Sequence, residues 1–387
     1  MIGLGLRGGL ADTAHRPGRG ARVVALCDLS PPTLAHWAAR LAGRGGETPW
    51  TTNDHRRLLE RPDVDAVIIA TPDDTHETIA IDALVAGKAT FCEKPLAITT
   101  EGCDRILATA MRTGTRLYVG HNMRHFMVVR LMKQLIDAGV VGEPQAVWCR
   151  HFVGHGGDFY FKDWHARRRH TTSLLLQKGA HDIDVVHWLA GGVGRTVQGM
   201  GGLTVYNRVT DRHTGRKADN WFDPAHNWPP LAQRQLEPEI DVEDLSMLQM
   251  RLDNGVVASY QQCHYTPDYW RNYTVIGTEG RIENFGDMDG VVRLWNTRHD
   301  YAARGDREFP FTASSGGHGG ADERLIEEFL RFAVGGGVTD TSPVAAREAV
   351  AVGCAAALSL RSGGTPVVVP DLPAVMVDYF AAGQTRS

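Results

Sequence analysis

Three groups of residues in this 387-residue sequence have types and spacings suited to chemistry. The first is Gly3-Leu4-Gly5-Leu6-Arg7-Gly8, a G-x-G-x-x-G run. Its glycines permit a tight turn and let backbone N–H groups approach a pyrophosphate, and Arg7 adds a positive charge beside them. Asp28 ends the next apolar run, Arg22–Cys27, twenty residues after Gly8. A carboxylate at that spacing accepts a hydrogen bond from a ribose 2′-hydroxyl and repels a 2′-phosphate, which points to NAD as cofactor over NADP. A glycine-rich turn beside a strand-ending aspartate is the plainer alternative, because the chain has 43 glycines.

The second group is Glu93-Lys94-Pro95, after the short apolar run Ala89–Cys92. A lysine at the end of a buried strand can reach into a cleft and stabilise negative charge on an oxygen as hydride leaves or arrives. Burial lowers a lysine pKa and suits it to proton relay. A surface lysine at a strand end is the competing reading. The third group is Leu174–Asp184, where Gln177, Lys178, His181, Asp182 and Asp184 follow an apolar run, with His187 one turn on. On a helix His181 and Asp184 share a face, as do Asp184 and His187. No metal-binding motif accompanies them, so no metal is expected. Acid–base work by a neutral histidine and a capping or core histidine both remain open.

Weaker candidates lie elsewhere. Asn122 and Arg124 follow the last strand of the first half, where ligands bind outside strand ends. Trp164 can stack on a sugar face, His165 can hydrogen-bond it, and Arg167-Arg168-Arg169 can receive an anion. A solvated basic loop is the plainer reading of that run. His264 and Tyr265 stand in a strand pair dense in Gln, His, Tyr and Trp, and are candidate substrate contacts.

These residues need elements to hold them. Residues 1–120 alternate strand and helix signals: strands at 22–28, 65–70, 89–92 and 117–119, helices at 75–86 and 100–113. Ser30 before Pro31 opens another helix. That alternation predicts an α/β fold with a doubly wound parallel sheet. A central strand should precede the glycines, yet only Met1 and Ile2 do, so the sequence is expected to continue upstream. After residue 121 a helix at 125–138 leads into strands at 145–150, 247–251, 256–263, 273–276 and 291–295, as an antiparallel sheet requires. Helices return at 322–332 and 343–360, and are expected to pack back on the first domain. The polar region 207–240, with Trp221, Trp228, Pro229 and Pro230, reads as a long loop or insertion. The expected domains are 1–120, cofactor-binding, and 121–387, substrate-binding and oligomerising.

Bulk properties narrow the classes. Hydrophobic content of 43% and charged content of 22% suit a globular protein. A net charge of −4 offers no basic field for nucleic acid or an anionic membrane. No uninterrupted apolar run approaches a membrane span. Six unpaired cysteines predict free thiols in a reducing compartment, the cytoplasm.

Thr71-Pro72-Asp73-Asp74-Thr75-His76, Cys92-Glu93-Lys94-Pro95-Leu96 and Ile276-Gly277-Thr278-Glu279-Gly280 together resemble the Gfo/Idh/MocA oxidoreductase family, with the glycine run and the 174–184 stretch in the family's order. The resemblance implies a Rossmann domain followed by an α+β domain with a large open-faced, mainly antiparallel sheet. It implies NAD(P)-linked hydride transfer at a sugar, cyclitol or glycoside hydroxyl. Gly3, Gly5, Arg7, Gly8, Asp28, Thr71, Pro72, His76, Glu93 and Lys94 would then contact the cofactor. Lys94 and His181 would be catalytic. Asn122, Arg124, Trp164, His165, Gln177, Lys178, Asp184, His264 and Tyr265 would contact the substrate. A homo-oligomer, dimer or tetramer, would cover the open sheet face. One departure stands out: inositol dehydrogenase-like members carry an aspartate four residues before the histidine, and here it is Gln177. Glutamine cannot accept the proton, so Asp182 or Asp184 compensates, or His181 acts alone. Two rivals follow: an NAD-requiring glycosidase working by transient oxidation and elimination, with an anionic sugar among its candidate substrates, and a non-catalytic NAD sensor.

Overall fold

The computed structural model describes residues 1–215, 222–223 and 225–385. Two compact units form. One comprises Met1–His125, Ser314–Arg347 and the segment from Asp371 onward; the other comprises Phe126–Ala313 and Glu348–Pro370.

The first unit opens with α1 (Gly9–Ala14), directly after the glycine run. It continues β1 (Ala25–Cys27), α2 (Pro31–Ala42), β2 (Trp50–Thr52), α3 (His55–Leu59), β3 (Ala66–Ile69), α4 (His76–Val85), β4 (Ala89–Glu93), α5 (Thr100–Thr113) and β5 (Leu117–Gly120). The caps are local: Ser30 accepts from Thr33 N–H at 3.3 Å with Pro31 behind it, and Thr99 accepts from Gly102 N–H at 3.0 Å. All pairings among these strands are parallel: β1 with β2, and β3–β4–β5. Ile2 bridges the two sets, pairing parallel with both Cys27 and Ile69. Its N–H donates to Ile68 O and its carbonyl accepts from Ala70, each at 2.8 Å. Ile2 thus occupies the position of the central strand expected before the glycines.

The second unit begins with α6 (Met127–Asp137) and β6 (Pro144–Phe152). Next come α7 (Gly156–Tyr160), α8 (Arg168–Thr171), α9 (Leu174–Gln177) and α10 (Gly179–Ala190). The remaining strands are β7 (Gly194–Gly202), β8 (Leu245–Leu252), β9 (Val257–Cys263), β10 (Trp270–Gly277), β11 (Arg281–Phe285), β12 (Asp289–Trp295) and β13 (Arg307–Thr312). The chain returns to the first unit with α11 (Ala321–Gly335); most of α12 (Pro343–Arg361) and β14 (Val367–Val368) belong to the second unit, and α13 (Ala374–Ala381) to the first.

Nine strands make one open sheet, ordered β13-β12-β11-β10-β6-β9-β8-β7-β14. Every neighbouring pair is antiparallel except β6 with β9. Burial alternates along β6 and β8, as a sheet with one covered face requires. α10 packs against β6, β9 and β10. The opposite face exposes Trp148, Met200, Met247 and Val257. β7 was not foreseen because its four glycines hide the alternation.

The single helix expected over 174–188 is two helices joined at Lys178, which caps α9 and precedes α10. Within the described part of region 207–240 the chain is not structureless: Val209 and Leu236 join Tyr206, Val242, Phe161 and Leu174 in a small core. Asp244 holds the residues just before that region by accepting the N–H groups of Thr204, Val205 and Tyr206 at 2.8–2.9 Å. Trp221 lies outside the described residues. One correction concerns membranes. α12 is long and apolar enough to cross one by length and composition, but 72% of its apolar window is buried inside the protein, as in a core helix.

Candidate active site

In the first unit the glycine run is shaped by contacts that exclude side chains. Gly3 adopts φ +84°, and a Cβ there would sit 2.5 Å from Ala70 O. A Cβ at Gly8 would sit 2.7 Å from the Trp37 ring, whereas one at Gly5 would meet nothing within 4 Å. The turn is therefore packed on the protein side and open at Gly5, as close approach by a ligand needs. Asp28 Oδ2 accepts Leu4 N–H and Oδ1 accepts Ser30 N–H, each at 2.8 Å. Each oxygen keeps lone-pair capacity for a ribose hydroxyl while bracing the turn. These residues fit NAD.

Arg7 does not point a free charge at a phosphate. Its Nε lies 2.7 Å from Glu93 Oε1, and its two terminal nitrogens grip Asp322 at 2.8 and 2.9 Å. Burial works against the guanidinium charge, but Glu93 and Asp322 overcome it and raise the Arg7 pKa. His318 Nδ1 lies 2.8 Å from the same Asp322. Glu93 Oε2 in turn accepts Lys94 N–H at 3.0 Å. A chain of charge-assisted contacts thus links the glycine run to the backbone of Lys94 through Glu93, with Asp322 of α11 on the same guanidinium.

His76 was expected at the cofactor; it holds backbone together instead. It is 1% exposed, with Nδ1 2.7 Å from Pro95 O and Nε2 2.9 Å from Thr71 O. Burial pushes its pKa down against the pull of both carbonyls. The loop Thr71–Thr75, closed by a 2.7 Å bond from Thr75 Oγ1 to Thr71 Oγ1, is thereby tied to the Lys94–Pro95 turn. Asn122 and Arg124 are also turned inward: Asn122 Nδ2 lies 3.4 Å from Asp322 Oδ1, and Arg124 reaches Asp340 O at 3.3 Å.

In the second unit Gln177, Lys178, His181 and Asp184 cluster around the α9–α10 junction. Gln177 and Asp184 are buried; Lys178 and His181 are partly exposed. The Lys178 ammonium lies 5.8 Å from the centroid of Tyr160, a neighbour sequence reasoning missed. Tyr160 meets His165 edge-on at 5.4 Å, and Trp164 stacks on His165 at 3.6 Å. Asp163 fixes the His165 ring through Nδ1 at 2.5 Å. Lys178, Tyr160, His165 and Trp164 thus form one polar and aromatic group. Tyr265 lies nearby in the small core, its hydroxyl 3.2 Å from Thr204 Oγ1.

Three expectations need correcting here. His264 is wholly buried beneath Tyr160 and Phe161, at 5.2 and 6.0 Å between ring centroids, and offers no surface to a ligand. Burial, then His151 and Lys178, push its pKa well below the ordinary value. The arginine run is no free anion receptor: Arg167 pairs with Glu237, and Arg168 with Glu243 at 3.1 Å. Asp182 cannot stand in for the missing acid, because both its oxygens are engaged by His151, Arg271 and Tyr273. His187 accepts Gly194 N–H at 3.0 Å, a structural task.

Asp322 and Arg271 carried no local signal as functional partners, since they lie 315 and 89 residues from Arg7 and Asp182. Arg271 left one trace: it occupies an inward position of β10, in phase with Tyr273 and Val275.

Residues 1–121 match the family model described as oxidoreductase family, NAD-binding Rossmann fold. Residues 129–283 match the GFO/IDH/MocA C-terminal domain. An inositol 2-dehydrogenase of Ralstonia nicotianae is 37% identical over 201 residues, 52% of this chain and 54% of that protein. A counterpart of Klebsiella pneumoniae is 36% identical over 181 residues, 46% and 50% of the two chains. The chain spans about half the length of these curated relatives. Among solved structures, levoglucosan dehydrogenase in complex with NADH and levoglucosan superposes with a TM-score of 0.76 at 23% identity, covering 96% of this chain and 98% of that one. Myo-inositol 2-dehydrogenase of Lactobacillus plantarum gives 0.70 at 18% identity, covering 95% and 98%.

Proposed function

Because this chain belongs to the Gfo/Idh/MocA oxidoreductase family and carries its NAD-binding Rossmann domain, we propose that it oxidises a hydroxyl of a cyclitol or sugar, or reduces the corresponding ketone. Bound NAD supplies the hydride acceptor. The Lys94 ammonium hydrogen-bonds the reacting oxygen and stabilises the negative charge that develops there. His181 exchanges the hydroxyl proton. Gln177 and Lys178 hydrogen-bond neighbouring hydroxyls, and Tyr160 and Trp164 offer ring faces to the C–H surface of the substrate. Inositol and levoglucosan dehydrogenases among the relatives support a neutral polyhydroxylated ring as substrate class. The paired arginines at 167 and 168 support the same choice over an anionic sugar. The glycosidase alternative has no support among these relatives.

The observation that carries this reading is the Lys94 turn. The residue follows β4, its N–H is held by Glu93, and Glu93 is held by Arg7 of the glycine run. A lysine so tied to the cofactor turn is built for chemistry at the cofactor. The six cysteines are free thiols, which supports a cytoplasmic setting. The exposed apolar side chains of the open sheet face support a homo-oligomer.

The test is NAD reduction, followed by nicotinamide absorbance, with myo-inositol, levoglucosan and D-glucose. Wild type should give product and NADH in equal amounts. Lys94→Ala should lower kcat by about 10²- to 10⁴-fold with NADH binding retained. Product release without net NADH, or full activity in Lys94→Ala, overturns the assignment.

A further inference from the structure

Asp182 follows His181 directly in the first turn of α10 and is wholly buried. Its Oδ1 accepts the Tyr273 hydroxyl at 2.5 Å and lies 3.0 Å from Arg271 Nε. Its Oδ2 lies 3.0 Å from His151 Nδ1. The second face of that imidazole, Nε2, lies 3.3 Å from an Arg271 terminal nitrogen. That nitrogen also lies 3.4 Å from Nδ1, so the tautomer follows from Asp182: a carboxylate can only accept, so His151 carries its proton on Nδ1 and donates to it, leaving Nε2 to accept from Arg271. His151 is therefore neutral. The network continues outward: the Tyr260 hydroxyl donates to Gln262 at 2.9 Å, and Gln262 donates to Ser246 at 2.9 Å.

Holding a helix on a sheet does not need such a cluster. Apolar side chains of the same volume do so at least as well, because a buried ion pair gives up the hydration of both charges. What charge-assisted hydrogen bonds add is direction, since each demands a short distance and an aligned donor. Aligned donors from β6 (His151 Nδ1) and β10 (the Tyr273 hydroxyl) converge on one carboxylate of α10, with the Arg271 guanidinium as its ion pair. They fix the rotation of the helix about its own axis at residue 182. The next residue back is turned by about 100° and is fixed with it. The helix start also approaches the sheet closely, since a Cβ on Gly179 would sit 3.0 Å from the Tyr260 ring.

We propose that Asp182, held by Arg271, His151 and Tyr273, is a positioning residue that sets the orientation of His181 for proton exchange; this rests on the acid–base reading of His181. The full-length chain is tested with three variants: Asp182→Leu/Arg271→Met, which removes both charges together, Asp182→Asn and Arg271→Lys. The readouts are kcat and KM for myo-inositol and levoglucosan, NADH affinity, thermal midpoint, and the imidazole ¹H–¹⁵N signals of His181, assigned with His181→Gln.

The double variant is expected to stay folded and bind NADH as wild type does. Its kcat should fall about 10- to 100-fold, and its His181 signals should shift or broaden. Arg271→Lys should recover part of that loss. A folded double variant with wild-type kcat and an unmoved His181 signal overturns the proposal. Should the double variant not fold, Asp182→Asn and Arg271→Lys decide: lost stability with an unchanged His181 signal and kcat overturns it. If wild type oxidises neither probe, the assignment of function fails, and the His181 signals alone decide the positioning role.

Discussion

Stability of the second unit should fall steeply as the medium is acidified from pH 7 to pH 5, and His151 should be a principal cause. Burial, reinforced by the Arg271 charge, pushes the His151 pKa down from 6.5 to about 3. In the unfolded chain the imidazole regains its ordinary value and takes up a proton below pH 6.5. The unfolded state then binds more protons, so stability declines as pH falls through 6.5 and continues to decline toward 3. Each pH unit well inside that window costs about 1.4 kcal/mol per group. Allowing for the partial protonation near 6.5, the loss from pH 7 to pH 5 is about 2 kcal/mol. That corresponds to a fall of roughly 4–8 °C in thermal midpoint for a unit of this size. The Asp182 pKa is held low because Arg271 and His151 outweigh the effect of burial, so its own loss begins below the ordinary carboxylate range and leaves this window untouched. The comparison is His151→Gln, whose amide can donate to Asp182 and accept from Arg271 but does not titrate. Urea unfolding followed through tryptophan emission, with Trp148 on β6 and Trp270 on β10, should give wild type a pH 7-to-5 loss about 2 kcal/mol larger than the variant's. His264 is also depressed, first of all by burial, which His151→Gln leaves in place. Equal losses in wild type and variant would refute the reasoning.

Three further outcomes follow from the geometry. Gly3→Ala should cost several-fold more stability than Gly5→Ala, on the order of 3 kcal/mol or more, because its Cβ would strike Ala70 O from a left-handed backbone, whereas Gly5→Ala should fold normally and lose NADH affinity; calorimetry and NADH titration separate the two. Asp28→Ala should weaken NAD binding and loosen the turn, costing about 1–3 kcal/mol of stability for the N–H groups of Leu4 and Ser30 left without their acceptor, and it should narrow the preference for NAD over NADP in a steady-state comparison. Replacing Trp148 and Met247 on the open sheet face with lysine should lower the oligomeric mass in sedimentation without altering NADH affinity; an unchanged mass removes that face as the subunit contact.

The parallel first sheet and the open second sheet were legible in the sequence because their causes are local. Strand–helix alternation, Ser30 as a cap, and the glycine turn with Asp28 twenty residues on all act within a few dozen residues. A central strand was expected before the glycines, and its position is held by Ile2, which pairs with neighbours on both sides. β7 escaped notice because glycines fill it. Around the candidate site, the backbone geometry of the Gly3–Gly8 turn was readable, because glycine placement dictates it. Residues whose part depends on what faces the side chain were not. Arg7, His76 and Arg167 look in sequence like groups for a ligand, and the structure spends them on Asp322, Pro95 and Glu237. His264 looks exposed by composition and lies under Tyr160.

The division has one physical reason. Backbone geometry is dictated by residues nearby in the chain, so the turn types, the caps and the cofactor class were determined by the sequence alone. The state of a charge is dictated by whatever packs against it, from any distance along the chain. Whether Asp182 serves as the missing acid or as a buried pin was settled only when β6 and β10 brought His151, Arg271 and Tyr273 to it.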